Sequence, residues 1–492
     1  MPTYRYAAAD RFAPPRLLPL GDPVADVPAP QNPDPLDALW GAVLAPGGED
    51  CLRVTVWTPG GSNLPVLVHV PGGGFLIGSG RWGWYDGGDL ARALNCVVVG
   101  FNYRLGAFGF LDLSGCGAEF ADSGNLGLLD QLAALRWVQQ HIATFGGDAG
   151  NVTVMGQSAG AISVGCLLGS PLAGGLFRRA ICLSGGPTLV RTPEYAATVT
   201  RLMTKRTGCG TADAFRDLPA ADLLAAQKWV MTRGDFGAPK FCPTIGGAVL
   251  PAIPLDRLDK SVPLLVGHTR DEMRLWKLYA PPLGTLPPEA VRGWLKRLVG
   301  GRADDLIRTY GRAMPGEKPG HILLAIVGDV VFRLPVLRLA EAHGAAHVFR
   351  LDYAPAVPGD LGAAHSLDVA LLFGNFAAAG IRRYVGDHPE AARDRLREVV
   401  GAFVRDGTCD WPVYADKRAT LVVAETLAVV ADPAGAERAA WDGVPFDGRH
   451  PALNNLPRKR ELLTFLAKRL ARKALPWLAG LALLAAGWWL FG

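Results

Sequence analysis

An α/β fold built on one large, mostly parallel, doubly wound sheet is the class this sequence predicts. Three observations carry it. Short apolar runs alternate with helical patterns from Leu52 onward; one run, NVTVMG, ends in the small-residue turn Gly156-Gln157-Ser158-Ala159-Gly160 and opens into a helix-forming stretch; another, PVLVHV, ends in Pro71-Gly72-Gly73-Gly74-Phe75. Parallel neighbours need a crossover long enough to hold a helix, so strand and helix must alternate along such a chain. Near-continuous apolar runs belong to strands buried on both faces.

The first fifty residues are rich in proline and aspartate, lack periodicity, and are expected to wrap irregularly over the surface. Strands are then read at LRVTVW (52–57), PVLVHV (65–70), CVVVGFNY (96–103), NVTVMG (151–156), RRAICLSG (178–185), VPLLVGHT (262–269) and HVFRLDY (347–353). Between them NLGLLDQLAALRWVQQHI (125–142) and AISVGCLL (161–168) read as helices. The proline-punctuated, largely helical stretches around 262–269 are expected to form a cap over the site.

With 49% hydrophobic and 19% charged residues, 61 Gly and 38 Pro, the chain describes a folded, loop-rich body. Its 492 residues exceed an ordinary single domain of roughly 150, yet open α/β enzymes with insertions keep one core at such lengths. The net charge of +5 is small, and the basic residues concentrate only between Arg458 and Lys473, which argues against a nucleic-acid partner. The eight cysteines show no C-x-x-C spacing, so neither a structural zinc site nor a dithiol centre is expected; reduced thiols are. The N-terminus lacks the basic start, apolar stretch and small-residue cleavage site of a secretory signal, so the body is expected in the cytoplasm.

Residues 1–450 are read as the folded body, 451–473 as a basic amphipathic linker and 474–492 as an apolar tail. ALPWLAGLALLAAGWWLFG holds no charge and as a helix would span about 28 Å, enough to cross a bilayer, with Trp477 at one end and Trp488 and Trp489 at the other suited to the headgroup belts. The preceding RKRELLTFLAKRLARK carries seven of its eight charges as Arg or Lys, a flank that stays on the cytoplasmic side. The expectation is a transmembrane tail anchor with the enzyme facing the cytoplasm. A C-terminal helix packed on the body or at a dimer interface is the alternative.

A Gly-x-Ser-x-Gly turn between strand and helix is the setting of a nucleophile elbow, which exposes Ser158 and leaves the Ala159 amide free at the helix start. Glycine is required at 156 and 160 because so tight a turn packs its flanks closely. Gly73 and Gly74, just past another strand, offer two further amides for an oxyanion. A phosphate-binding reading of PGGGFLIGSG fails for want of the P-loop Lys and Ser/Thr and of dinucleotide spacing. Such sites take their base from a late loop, in the order Ser, acid, His, in an α/β-hydrolase fold. His365, in the loop GAAHSLD after a strand, is best placed; His343 and His347 read as structural, and His321, His388 and His450 as surface or cap positions. For the acid, Asp271 and Glu272 both follow a strand end, and position alone leaves both open.

These residues resemble the type-B carboxylesterase family, which includes the cholinesterases and many bacterial esterases. The likeness runs through YAAADRFAPP (6–15), EDCL (49–52), PVLVHVPGGGF (65–75), YDG (85–87), NYRLGAFGFL (102–111), the long block GNLGLLDQLAALRWVQQHIATFGGDAGNVTVMGQSAG (124–160) and LFRRAICLSGG (176–186). GAAHSLDVALLFGN and WPVY (411–414) continue it, so about residues 6 to 425 are covered. The resemblance implies ester hydrolysis through an acyl-enzyme, with Ser158 as nucleophile, Glu272 rather than Asp271 as acid, and His365 as base. It implies no metal and no organic cofactor; the partner is a small-molecule or lipid-like ester.

Several positions depart from the family pattern. The family's N-terminal β-hairpin is not expected here, which would leave that sheet edge shortened or differently covered; Pro71 replaces a histidine, Met273 a glycine and Asp368 a glutamate. Pro71 is expected to alter the pocket while leaving the Gly73 and Gly74 amides intact. Cys51 has no upstream cysteine to pair with, in keeping with a reducing compartment. Trp40, Trp82, Trp84 and Phe332 are read as pocket lining or core alike. The rival reading is a non-catalytic binding module on the same fold; amide or lactone preference is a second.

Overall fold

A computed structural model describes residues 1–39, 47–232, 240–378 and 380–444. The basic stretch 451–473, the apolar tail 474–492, Trp40 and His450 lie outside the described residues. Among the described residues no helix is long and apolar enough to cross a membrane.

Ten strands form one sheet: β1 (Thr3–Arg5), β2 (Arg53–Trp57), β3 (Leu64–Val70), β4 (Val97–Phe101), β5 (Gly147–Gln157), β6 (Arg179–Leu183), β7 (Leu264–Thr269), β8 (His347–Leu351), β9 (Ala419–Val423) and β10 (Leu427–Ala431). Their spatial order is β1-β2-β4-β3-β5-β6-β7-β8-β9-β10. From β4 through β9 every pairing is parallel, and the outer pairings β1 with β2, β2 with β4 and β9 with β10 are antiparallel.

Successive residues of a strand point to opposite faces, and here both faces are buried. Val66, Val68 and Val70 of β3 join one apolar cluster with α1 (Leu126–His141) and α2 (Ala159–Leu168). Leu67 of β3, with Met155 and Ile181, joins the other, under α3 (Leu367–Phe373) and α4 (Glu390–Asp406). Helices on both faces make the sheet doubly wound, as the alternation predicts. The cap expectation also meets helices: Pro193–Thr207 starts at the Thr192 side chain, which accepts from the Tyr195 amide at 3.4 Å, and stops at Gly208, whose φ of +81° ends the helix.

Both sheet edges differ from the sequence reading. The N-terminal fifty residues are not wholly irregular, because Thr3–Arg5 pairs with Arg53–Thr55, a short strand in keeping with the shortened or differently covered edge expected there. Three residues are too few to show a period, so only backbone pairing reveals the strand. At the far edge β9 and β10 form a hairpin in the register Ala419↔Ala431, which the sequence reading passed over.

The parallel strands deliver their C-terminal ends to one side of the sheet, where open α/β folds place ligands. Pro71 follows β3, Ser158 follows β5, Glu272 follows β7, and the loop to His365 follows β8.

Candidate active site

At the end of β5 the chain turns in a single residue. Ser158 has φ 57° and ψ −123°, a conformation that costs about 1–3 kcal/mol and persists only where the surroundings enforce it. Its N–H donates to the Leu183 carbonyl at 2.8 Å, and its carbonyl accepts from Ile162 N at 3.0 Å, so strand β6 and helix α2 both hold the turn. A Cβ on Gly156 would lie 2.2 Å from the Gly160 carbonyl carbon, and one on Gly160 would lie 2.0 Å from the Val70 oxygen. Both glycines are sterically required, as the motif predicts.

The loop after β3 closes against this turn. A Cβ on Gly72 would stand 3.2 Å from the Ser158 Cβ. Gly73 has φ +116°, its carbonyl accepting from both Leu76 N and Ile77 N at 3.1 Å, and Gly74 has φ +62° with open space in front of it. Among the described residues no backbone acceptor takes the amides of Gly73, Gly74 or Ala159. Pro71 is buried, and its carbonyl accepts from the Tyr103 hydroxyl at 3.0 Å, a brace from the NYRLG segment.

Across from the elbow, His365 Nδ1 stands 2.6 Å from Glu272 Oε2, with both residues buried. The other carboxylate oxygen, Oε1, accepts from Thr269 N at 2.9 Å. Asp271 points elsewhere: its Oδ2 accepts from Ala363 N at 3.0 Å, and it pairs with Arg270 at 3.0 Å and Arg274 at 3.4 Å. Asp271 N also donates to Ala363 O at 2.8 Å, and His365 N to Glu272 O at 3.1 Å. Hydrogen bonds thus zip the turn bearing Glu272 to the loop bearing His365.

Ring nitrogen Nε2 of His365 lies 3.2 Å from Gln157 Nε2, and no hydrogen bond joins the Ser158 hydroxyl to His365. Phe332 covers the ring at a centroid distance of 4.2 Å and Trp276 stands at 5.5 Å. Behind the pair lies Asp368, fully buried, its carboxyl pushed up to about 6 by burial first and by the neighbouring Glu272 second. Asp368 Oδ2 accepts from Ser184 Oγ at 3.3 Å and Oδ1 from Val369 N at 2.8 Å.

Of the aromatic residues singled out in sequence, Phe332 faces the site, whereas Trp84 is core, stacked on Tyr384 at 5.4 Å. Trp82 is half-buried and stacks on Tyr85 at 6.0 Å. His343 Nε2 lies 3.0 Å from the Val262 carbonyl, His347 opens β8, His388 is exposed, and His321 is buried on a cap helix beside Glu317 at 2.7 Å. Gln157, Tyr103, Trp276 and Ser184 escaped the sequence reading. Gln157, Tyr103 and Ser184 stood inside recognised segments, but the direction of their side chains is not a sequence property.

Comparison with known proteins places the chain among relatives of known activity. The carboxylesterase family model matches residues 9–442. The chain is 32% identical over 431 residues to a para-nitrobenzyl esterase of Bacillus subtilis (strain 168), covering 83% of this chain and 86% of that one. It is 34% identical over 452 residues to a probable N-octanoylanthranilate hydrolase of Rhodococcus erythropolis, covering 86% and 93%. A crystal structure of a Geobacillus stearothermophilus carboxylesterase superposes with a TM-score of 0.78 at 35% identity, covering 89% of this chain and 96% of that one. The chain belongs to the carboxylesterase family, has the α/β-hydrolase fold, and is a hydrolase of carboxylic esters.

Proposed function

We propose that ester hydrolysis runs through Ser158 as nucleophile, His365 as base and Glu272 as the acid that orients it, with the amides of Gly73, Gly74 and Ala159 receiving the oxyanion. The observation that carries this reading is the buried 2.6 Å contact of His365 Nδ1 with Glu272 Oε2, beside the strained turn that bears Ser158. Ser158 Oγ attacks the ester carbonyl and yields its proton to His365 Nε2. Collapse of the tetrahedral intermediate expels the alcohol, which takes that proton, and water repeats the sequence to free the acid. Fixed backbone amides supply several kcal/mol where negative charge develops, without reorganising. No step calls on a metal or organic cofactor. Phe332 and Trp276, against the His365 ring, favour an apolar substrate group there, in keeping with a small-molecule or lipid-like ester.

The test is a burst assay with short and medium-chain p-nitrophenyl esters, comparing wild type with Ser158→Ala in detergent. Turnover is expected to fall on the order of 10⁴-fold or more in the variant. A well-folded wild type without turnover would favour a binding module instead.

The same reading extends to organisation: residues 1–450 as the hydrolytic body, 451–473 as a basic linker and 474–492 as an anchor holding it at the cytoplasmic face of a membrane. Its support is the uncharged run beside a basic flank. Release of the intact chain into a low-salt soluble fraction would overturn it.

A further inference from the structure

On the reading just given, the outer nitrogen of the base should meet the nucleophile, yet in this structure it meets Gln157. The 2.6 Å approach of Nδ1 to a carboxylate oxygen places the ring proton on Nδ1. Nε2 of the neutral ring then offers a lone pair, and the amide nitrogen of Gln157, 3.2 Å away, can only donate to it. Gln157 is 1% exposed, is the last residue of β5, and is held in register with Leu183 of β6. A Cβ on Gly72 would lie 3.0 Å from its Oε1, so the glycine loop packs on the same side chain.

We propose that Gln157 is a positioning residue for His365: its amide donates to Nε2 of the resting ring, keeps the base unprotonated, and yields that lone pair to the Ser158 hydroxyl when substrate binds. A hydrogen bond made only to the neutral form disfavours the charged one. Gln157 itself transfers no proton; the proton passes from Ser158 Oγ to His365 Nε2 and on to the departing alcohol.

Glu272 holds Nδ1 from the turn after β7, and Asp368 lies buried behind on α3. Phe332 and Trp276 are uncharged, and the Tyr384 hydroxyl bonds the His365 carbonyl rather than the ring. Glu272 thus faces Nδ1 with a negative charge, while Nε2 faces a neutral donor. A carboxylate in its place would reverse that, at nearly the same volume.

The experiment is the pH dependence of kcat/KM for wild type, Gln157→Glu and Gln157→Met, with Ser158→Ala measured alongside and thermal unfolding checked for each. Asp368 is present in all, so its titration cancels in the comparison. Gln157→Glu is expected to raise the midpoint of the acid limb by about one pH unit, so that activity at pH 6 relative to pH 8 falls about fivefold. Gln157→Met, which loses the donor without adding charge, should move it the same way with about a twofold fall. Superimposed profiles, or a loss equal at every pH, would overturn the inference. If Ser158→Ala keeps its turnover, the triad reading fails; if it loses turnover while the Gln157 profiles coincide, only the Gln157 inference fails. Should Gln157→Glu not fold, ¹⁵N resonances of His365 decide: Nε2 should shift toward an unbonded ring nitrogen in Gln157→Met, and an unchanged shift would refute the role.

Discussion

The two halves of the site are held by opposite means. Around Ser158 the fit is steric: Gly156, Gly160 and Gly72 leave no room for a side chain, and the turn survives because nothing else can occupy that volume. Around His365 the fit is polar: Glu272 on His365 and Asp271 on Ala363 hold two loops together by hydrogen bonds between segments about ninety residues apart. One half depends on atoms that must be absent, the other on partners that must be present. The glycines that mark the first are spaced locally in the sequence, whereas the partners that make the second are not.

The largest expected effect breaks the steric half. Gly160→Val would drive its Cβ to 2.0 Å from the Val70 oxygen, a backbone atom that cannot step aside. Loss of the native fold is expected, read as absence of soluble protein or of a cooperative unfolding transition. Next comes the polar half. Glu272→Gln keeps the shape but no longer demands Nδ1–H of His365, so kcat should fall by roughly 10³ to 10⁴ with unfolding little changed. A kcat within tenfold of wild type would remove Glu272 from its proposed role.

The smallest effect sharpens the contrast through stability. Each half has a buried histidine near the end of its strand: His69 of β3, with neither ring nitrogen hydrogen-bonded, and His268 of β7, with Nδ1 3.0 Å from the Thr269 carbonyl. Burial holds both imidazoles down to about 3 from an ordinary 6.5. As pH falls below about 6.5 the unfolded chain therefore takes up protons that the folded one refuses. Stability is full above that pH and declines toward pH 3, by about 2 kcal/mol per histidine at pH 5. His69→Leu should shrink the loss between pH 7 and pH 5 by about that amount in denaturant titrations, without losing a hydrogen bond. An unchanged loss would mean that His69 is protonated in the folded state.

How much of this was readable in the sequence follows the same division. The parallel strands were legible because Val66, Leu67, Val68 and Val70, like Val97 to Val99, are buried on both faces and form near-continuous apolar runs, His69 being the exception. The elbow was legible because its glycines leave a fixed spacing. Glu272 and Asp271 could not be separated by position, since both follow β7; they part only in space, one toward His365 and the other toward Ala363. The edge strands Thr3–Arg5 and Leu427–Ala431 went unread because one is too short for a period and the other is largely exposed. Gln157 was visible as a letter of the motif, but the nitrogen it meets lies 208 residues away.

That separation of 208 residues has a meaning in time as well as in space. At ordinary synthesis rates of 5–20 residues per second, the segment bearing Ser158 leaves the ribosome roughly 10–40 s before the segment bearing His365. On the proposed assignment, the growing chain carries its serine through that interval with no base to activate it. Esters nearby are safe from the unfinished enzyme, and hydrolysis begins only once the segment bearing His365 has emerged and docked beside the serine.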